Sequence, residues 1–167
     1  MTTTGKPSVS DGWDTYWQET GDVDSYASDG ARHPAITAFW DDSLSPVMGG
    51  ANLRVLDIAT GSGAVVDSLF RNAANAQPNI TCVDISAAAV ESVSERYPSV
   101  ATVVADARAV PLEDERFDLI TSQFGIEYAG ADAFDEAARL LAPGGTLLML
   151  MHIRPGVIYK ECWTSLD

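Results

Sequence analysis

Short apolar segments alternate with amphipathic ones along most of this chain, and that alternation limits the folds it can adopt. Five runs rich in apolar and β-branched residues are predicted to be buried strands, at 53–58, 80–84, 100–105, 117–122 and 146–153. Helical spacing fills three of the gaps between them. Because strand–helix–strand units join parallel strands, we predict an α/β fold with a doubly wound, mostly parallel sheet and helices on both faces.

Two of the predicted helices have local signals of their own. Ser86 is a plausible N-cap for a helix whose inner face carries Val90, Val93 and Tyr97. The helix before the last strand is predicted to end at the Pro143-Gly144-Gly145 turn. Its inner face is assigned from an i, i+3, i+4, i+7 spacing to four residues: Phe134, Ala137, Ala138 and Leu141.

Acidic residues outnumber basic ones, and this limits the partners of the chain. The 167 residues include 24 Asp and Glu against 10 Lys and Arg, a formal net charge of −14. Such a surface repels nucleic acid phosphates and anionic lipid headgroups, so we expect neither partner. The longest apolar run, 147–151, is far shorter than the roughly 20 residues that cross a bilayer, and residues 1–10 lack the apolar block of a secretory signal.

The two cysteines point to a reducing compartment. Cys82 and Cys162 lie far apart, with no second Cys or His at metal-ligand spacing near either one. We therefore predict two reduced thiols, no metal site and a cytoplasmic location, with Cys82 as a small core residue.

The strand ends carry the residues that could bind a ligand, because ligands of doubly wound sheets bind outside the carboxyl ends of the strands. The first strand ends at Asp57 and leads into a turn with Gly61 and Gly63; the second ends at Asp84 and the third at Asp106. The third glycine of a dinucleotide fingerprint is absent, and a buried carboxylate at Asp57 would repel a diphosphate. These two features count against an NAD-type oxidoreductase and favour a cationic nucleoside as the ligand.

Four segments in order resemble the class I, Rossmann-like methyltransferases that use S-adenosylmethionine. The resemblance covers about 53–153 and rests on these stretches: VLDIATGSG at 55–63, Val83-Asp84, ADA at 105–107 with VPL at 110–112 and FDLI at 117–120, and LLAPGGTL at 140–147. It divides the chain into an N-terminal helical cap on the acceptor side (1–50), an S-adenosylmethionine-binding core (51–153) and a C-terminal tail (154–167).

The resemblance also implies roles for individual residues. The turn, including Ala59, would hold the methionine end of the cofactor through Thr60, Gly61 and Gly63, supported by Asp57. The other implied contacts follow the later strands: Asp84 on the ribose hydroxyls, Ile85 on the adenine face, Asp106 and the Ala107 N–H on the adenine edge, and Gln123 under the methionine portion.

Two departures from the family pattern carry expectations. Ala59 stands where the family most often has glycine, a replacement that costs little if the backbone there keeps a negative φ. Only 14 residues follow position 153, too few for the two further strands of the family's sheet. We therefore expect a fragment of a longer protein, or a homodimer that covers the edge of the fifth strand.

The chemistry leaves the catalytic residues open. Methyl transfer mainly requires alignment of acceptor and methyl group, and a base only where the acceptor must lose a proton. The candidates for that base are His152, Tyr128, Tyr16 and His33, and Glu127 could face the acceptor too. Transfer to a small-molecule acceptor is the predicted function; the alternative is a non-catalytic or truncated domain that binds the cofactor or a partner chain without turnover.

The aromatic side chains of the first fifty residues allow two interpretations. They are Trp13, Tyr16, Trp17, Tyr26, Phe39 and Trp40. They could shield the cofactor and shape an acceptor pocket, or pack against the sheet, and both can hold at once.

Overall fold

Five parallel strands form the sheet at the centre of the fold. A computed structural model of the chain describes residues 8–20, 33–49, 52–73 and 77–152. The strands are β1 (Arg54–Ile58), β2 (Asn79–Asp84), β3 (Ala101–Val104), β4 (Phe117–Gln123) and β5 (Leu141–Leu150). The helices are α1 (Val9–Thr20), α2 (Pro34–Leu44), α3 (Ala64–Asn72), α4 (Ala87–Arg96), α5 (Ile126–Ala129) and α6 (Ala131–Leu140). The predicted α/β fold is confirmed.

The order of the strands creates a crevice between β1 and β4. The sheet runs β3-β2-β1-β4-β5, and all four neighbouring pairs are parallel. The chain winds outward from β1 through β2 to β3, then crosses back to β4 on the other side of β1. Loops leaving β1 and β4 therefore diverge, and this switch point is where doubly wound sheets bind their ligands.

Helices cover both faces of the sheet, and each face has its own apolar core. Helices α2, α3 and α4 pack on one face through these buried residues: Trp40, Leu44, Val66, Leu69 and Val93, over Val55, Cys82 and Leu119. Helices α5 and α6 pack on the other through Ile126, Ala133, Ala137 and Leu140, over Leu56, Ile58 and Ile120. Each fully buried Val, Leu or Ile side chain among them contributes roughly 1.5–3 kcal/mol. Cys82 is a buried free thiol, as predicted, and Cys162 lies outside the described residues.

Side chains cap three of the helices. The predicted N-cap is confirmed, because the Ser86 side chain accepts a hydrogen bond from the backbone N–H of Ala89 at the start of α4. At α1, Ser8 and Asp11 exchange side-chain to backbone hydrogen bonds in the manner of a capping box. At α2, His33 caps the helix and accepts from the N–H two residues on.

The junction of α6 and β5 differs from the prediction. The strand begins at Leu141, five residues before the predicted start, because Leu141 already pairs with Phe117 of β4. The segment Pro143-Gly144-Gly145 lies inside the strand, where the register of pairing between β4 and β5 shifts. The inner face of α6 is consequently Ala133, Phe134, Ala137 and Leu140, and the predicted Ala138 is exposed.

Strand β5 forms one edge of the sheet and pairs with β4. The strand was predicted to run to Ile153 but ends at Leu150, and Met151 and His152 continue as irregular chain; Ile153 and the tail that follows lie outside the described residues. Covering of this edge by a second chain stays a prediction. Among the helices of the described ranges, none is long and apolar enough to span a bilayer.

Candidate functional site

A cleft opens over the carboxyl ends of β1, β2, β3 and β4. Nine of the ten predicted cofactor-binding residues line it: Asp57, Ala59, Thr60, Gly61, Asp84, Ile85, Asp106, Ala107 and Gln123. The tenth, Gly63, caps α3 just behind the cleft with a φ of 79°, and a Cβ there would lie 3.0 Å from the ring of Tyr97. The structure therefore brings together residues that are spread over 67 positions of the chain.

Asp57 is a fully buried carboxylate that holds the turn after β1. Its two oxygens accept hydrogen bonds from the Thr60 hydroxyl at 2.7 Å and from the Thr121 hydroxyl on β4 at 2.8 Å. Burial raises the pKa of Asp57 from 3.8 to about 6, against these two hydrogen bonds, which favour the ionised form. The side chain thus ties the turn after β1 to the neighbouring strand.

Asp84 joins the same turn to the start of α4. One carboxylate oxygen accepts from the Gly61 N–H at 2.9 Å, and the other accepts from the Ser86 N–H at 2.9 Å. Burial raises the pKa of Asp84, and hydrogen bonds from backbone N–H groups oppose that rise. Each oxygen retains a lone pair for a further donor, and the residue lines the cleft.

The backbone at Ala59 does not keep the negative φ under which alanine in place of glycine would cost little. Its φ is 55°, in the left-handed region, and Gly61 two residues on has a φ of 50°. The side chain of Ala59 packs directly on Gly125, where an added Cβ would lie 2.5 Å from the Cβ of Ala59. The turn after β1 and the turn after β4 therefore touch at the switch point, and each allows the other only a small side chain.

Helix α1 lies along the cleft and is anchored to α4. Trp13, Tyr16 and Trp17 line the cleft, and a Cβ at Gly61 would lie 2.5 Å from the Trp17 ring. The anchor is Asp14, which accepts from the Ser86 hydroxyl at 2.6 Å and from an α4 backbone N–H at 3.2 Å. These hydrogen bonds lower the pKa of Asp14. Sequence reasoning missed Asp14, because a lone Asp on a helix carries no signal of a partner 72 positions away.

Helix α2 supports the second interpretation of the aromatic residues. Trp40 is buried and Phe39 packs beside it against the core. The Trp40 indole N–H donates to the Gln123 side chain at the end of β4, so the core holds a residue of the cleft in position. The N-terminal aromatics thus divide by helix, with α1 facing the cleft and α2 the core; Tyr26 lies outside the described residues.

Asp106 has a partner that the sequence did not indicate. Arg108 forms an ion pair with it at 2.6 Å, and hydrogen bonds from Arg108 lower the pKa of Asp106. Arg108 also lines the cleft. A ligand that bonds to the Asp106 carboxylate would therefore meet an arginine at the same edge.

The four candidate bases are not all at the cleft. Tyr16 and Tyr128 line it, and the Tyr128 hydroxyl contacts His152. His33 caps α2 and does not line this cleft. Within the described ranges, no group of three or more His, Cys, Asp or Glu side chains is gathered closely enough to hold a metal ion.

Comparison with protein families matches residues 56–149 to a family described as a methyltransferase domain. An uncharacterized methyltransferase of Schizosaccharomyces pombe is 30% identical over 122 residues, which are 72% of this chain and 46% of that protein. A ubiquinone/menaquinone biosynthesis C-methyltransferase of Pseudomonas savastanoi is 34% identical over 110 residues, 61% of this chain and 43% of that protein. The chain spans less than half the length of these curated relatives.

Solved structures share the fold at lower identity. A proposed S-adenosyl-L-methionine-dependent methyltransferase of Methanococcus maripaludis superposes with a TM-score of 0.66 at 20% identity, covering 99% of this chain and 74% of that one. A SAM-dependent methyltransferase of Aquifex aeolicus gives a TM-score of 0.55 at 19% identity, covering 65% and 62%.

Proposed function

Since the chain belongs to the class I methyltransferase family, we propose that it transfers a methyl group from S-adenosylmethionine to a small-molecule acceptor. The observation that carries the proposal is the pair of buried acids, Asp57 and Asp84, beside the glycine turn of β1. Buried carboxylates at this position suit a ligand that carries an ammonium and a sulfonium and oppose one that carries phosphates.

The residues of the cleft fit such a ligand. Asp84 offers lone pairs to a ribose diol, and Gly61 lets a ligand approach the backbone because it has no Cβ. Asp106 and the Ala107 N–H offer an acceptor and a donor to an adenine edge, Ile85 offers an apolar surface to its face, and the methionine end would lie near Thr60 and Gln123. When bound, S-adenosylmethionine supplies a methyl group activated by the positive charge of its sulfur.

The aromatic side chains of α1 support a flat acceptor. Trp13 packs edge-on against Tyr16 at 5.5 Å and against Tyr128 at 6.1 Å between ring centroids, and all three line the cleft. Rings at these angles offer a face or an edge to a planar molecule. The curated relatives named for ubiquinone and menaquinone biosynthesis are consistent with an acceptor of this shape.

Calorimetry tests the proposal with S-adenosylmethionine and with its demethylated product. Asp84→Ala should weaken binding of both roughly 10- to 150-fold, the loss of one charged hydrogen bond of ~1.5–3 kcal/mol. Asp135→Ala, an exposed acid on α6, is the control and should bind as the unmodified chain does. Failure of the unmodified chain to bind either ligand would contradict the proposal. Binding of both with no methyl transfer to any acceptor would favour the non-catalytic alternative.

A further inference from the structure

A second polar cluster lies where α5 meets the end of β5. The Tyr128 hydroxyl is 2.9 Å from Nδ1 of His152, and the imidazole stacks on the Phe124 ring with 4.3 Å between centroids and 13° between planes. The His152 side chain is only 5% exposed. Tyr128 and Phe124 also line the cleft, so the cluster connects the cleft to a buried imidazole.

Glu127 adds a carboxylate to this imidazole. Its Oε1 accepts from the backbone N–H of His152 at 3.0 Å and lies 3.2 Å from Nδ1. Its Oε2 is buried and has no hydrogen-bond partner among the described residues. Burial lowers the pKa of His152 and the Glu127 carboxylate opposes that effect, so a proton that reaches the ring is stabilised by an adjacent charge.

Backbone geometry holds the cluster in place. Phe124 has a φ of 53°, a conformation that costs a non-glycine residue free energy and persists where the surroundings enforce it. That φ belongs to the residue whose ring supports His152. Strain of this kind concentrates at functional sites, which is consistent with a cluster built for orientation.

We propose that Tyr128, His152 and Glu127 form a proton relay for a methyl acceptor that carries a hydroxyl group. The Tyr128 oxygen accepts the proton of the acceptor hydroxyl and passes its own proton to Nδ1 of His152, and Glu127 stabilises the resulting imidazolium. The acceptor O–H bond breaks with its electron pair left on the acceptor oxygen. No other group gains or loses a proton. The inference rests on the proposed methyl transfer and adds the chemical class of its acceptor.

The position of a proton on His152 tests the relay without cofactor or acceptor. Because Nδ1 must be free to accept, ¹⁵N NMR of the full chain should show the neutral His152 ring protonated at Nε2. His33→Gln assigns the signals, since the chain has two histidines. Glu127→Gln should lower the pKa of His152, and Tyr128→Phe should change both its titration and its Nδ1 shift. A neutral ring protonated at Nδ1, or a titration unchanged in both variants, would overturn the relay.

Turnover provides the second test, with 1-naphthol as the hydroxyl probe and 1-naphthylamine as its amine counterpart. Tyr128→Phe should lower kcat for 1-naphthol about 10²- to 10⁴-fold and remove the acidic limb of its pH–rate profile, with binding of the demethylated cofactor unchanged. His33→Gln should retain full turnover. Transfer to the amine but not to 1-naphthol, or an undiminished kcat in Tyr128→Phe, would overturn the relay. Absence of cofactor binding would instead refute the proposed methyl transfer and leave the NMR test standing.

Discussion

Replacing the buried Asp57 by Asn should stabilise the protein, and more so as the pH rises. The carboxylate is fully buried and its pKa rises from 3.8 to about 6 on folding. The folded state therefore favours the protonated form, and ionisation of Asp57 works against folding. The penalty is absent below pH 3.8, grows through the interval up to pH 6 and is complete above it. At 1.36 kcal/mol per pH unit, it amounts to about 3 kcal/mol at pH 8.

Asn has nearly the shape of the neutral acid and can bond to the hydroxyls of Thr60 and Thr121. Urea unfolding should therefore show Asp57→Asn more stable than the unmodified chain by about 3 kcal/mol at pH 8 and by about 1.5 kcal/mol at pH 5. Asp135→Asn, at an exposed carboxylate of α6, should change stability by less than about 0.5 kcal/mol at both pH values. A gain that is equal at the two pH values, or a loss at pH 8, would refute the reasoning.

Three further substitutions test the turns and the cap by urea unfolding. Ala59→Gly removes the strain of a left-handed alanine, about 1–2 kcal/mol, but raises the conformational entropy of the unfolded chain, which costs about 0.4–1 kcal/mol of stability. We expect a net increase in stability of about 0.5–1 kcal/mol, and a decrease would contradict this reasoning. Gly125→Ala should lower stability by about 1–3 kcal/mol, because its Cβ would overlap with Ala59. The loss of stability should be smaller when Ala59 is replaced by Gly as well, and an equal loss in the double variant would exclude that overlap. Ser86→Ala should lower stability by at least about 1 kcal/mol, because it removes the N-cap of α4 and the hydrogen bond to Asp14. Ser94→Ala, on the same helix, should change stability by less than about 0.5 kcal/mol, and equal effects of the two substitutions would contradict the role of Ser86.

Local patterns were sufficient where short-range forces decide the structure. The five strands follow from short apolar runs bounded by turn residues, and the cap at Ser86 follows from a hydroxyl placed just before a helix. The convergence of Asp57, Asp84 and Asp106 on one cleft follows from their positions at the ends of parallel strands.

Predictions failed where the structure depends on contacts between distant segments. The inner face of α6 was displaced because pairing of Leu141 with Phe117 ends the helix at Leu140, and no helical periodicity encodes that pairing. Ala59, with its positive φ, contacts the turn that contains Gly125, 66 positions later. Such constraints arise only when the sheet is assembled.

The contact of Trp17 with Gly61 gives the protein an internal optical probe. An indole packed against the turn that the proposed ligand would approach experiences a new environment when that turn is occupied. Occupancy of the cleft should therefore be readable from the emission of the unlabelled chain, and Trp17→Phe should reduce that response to the part contributed by Trp13, the second indole that lines the cleft.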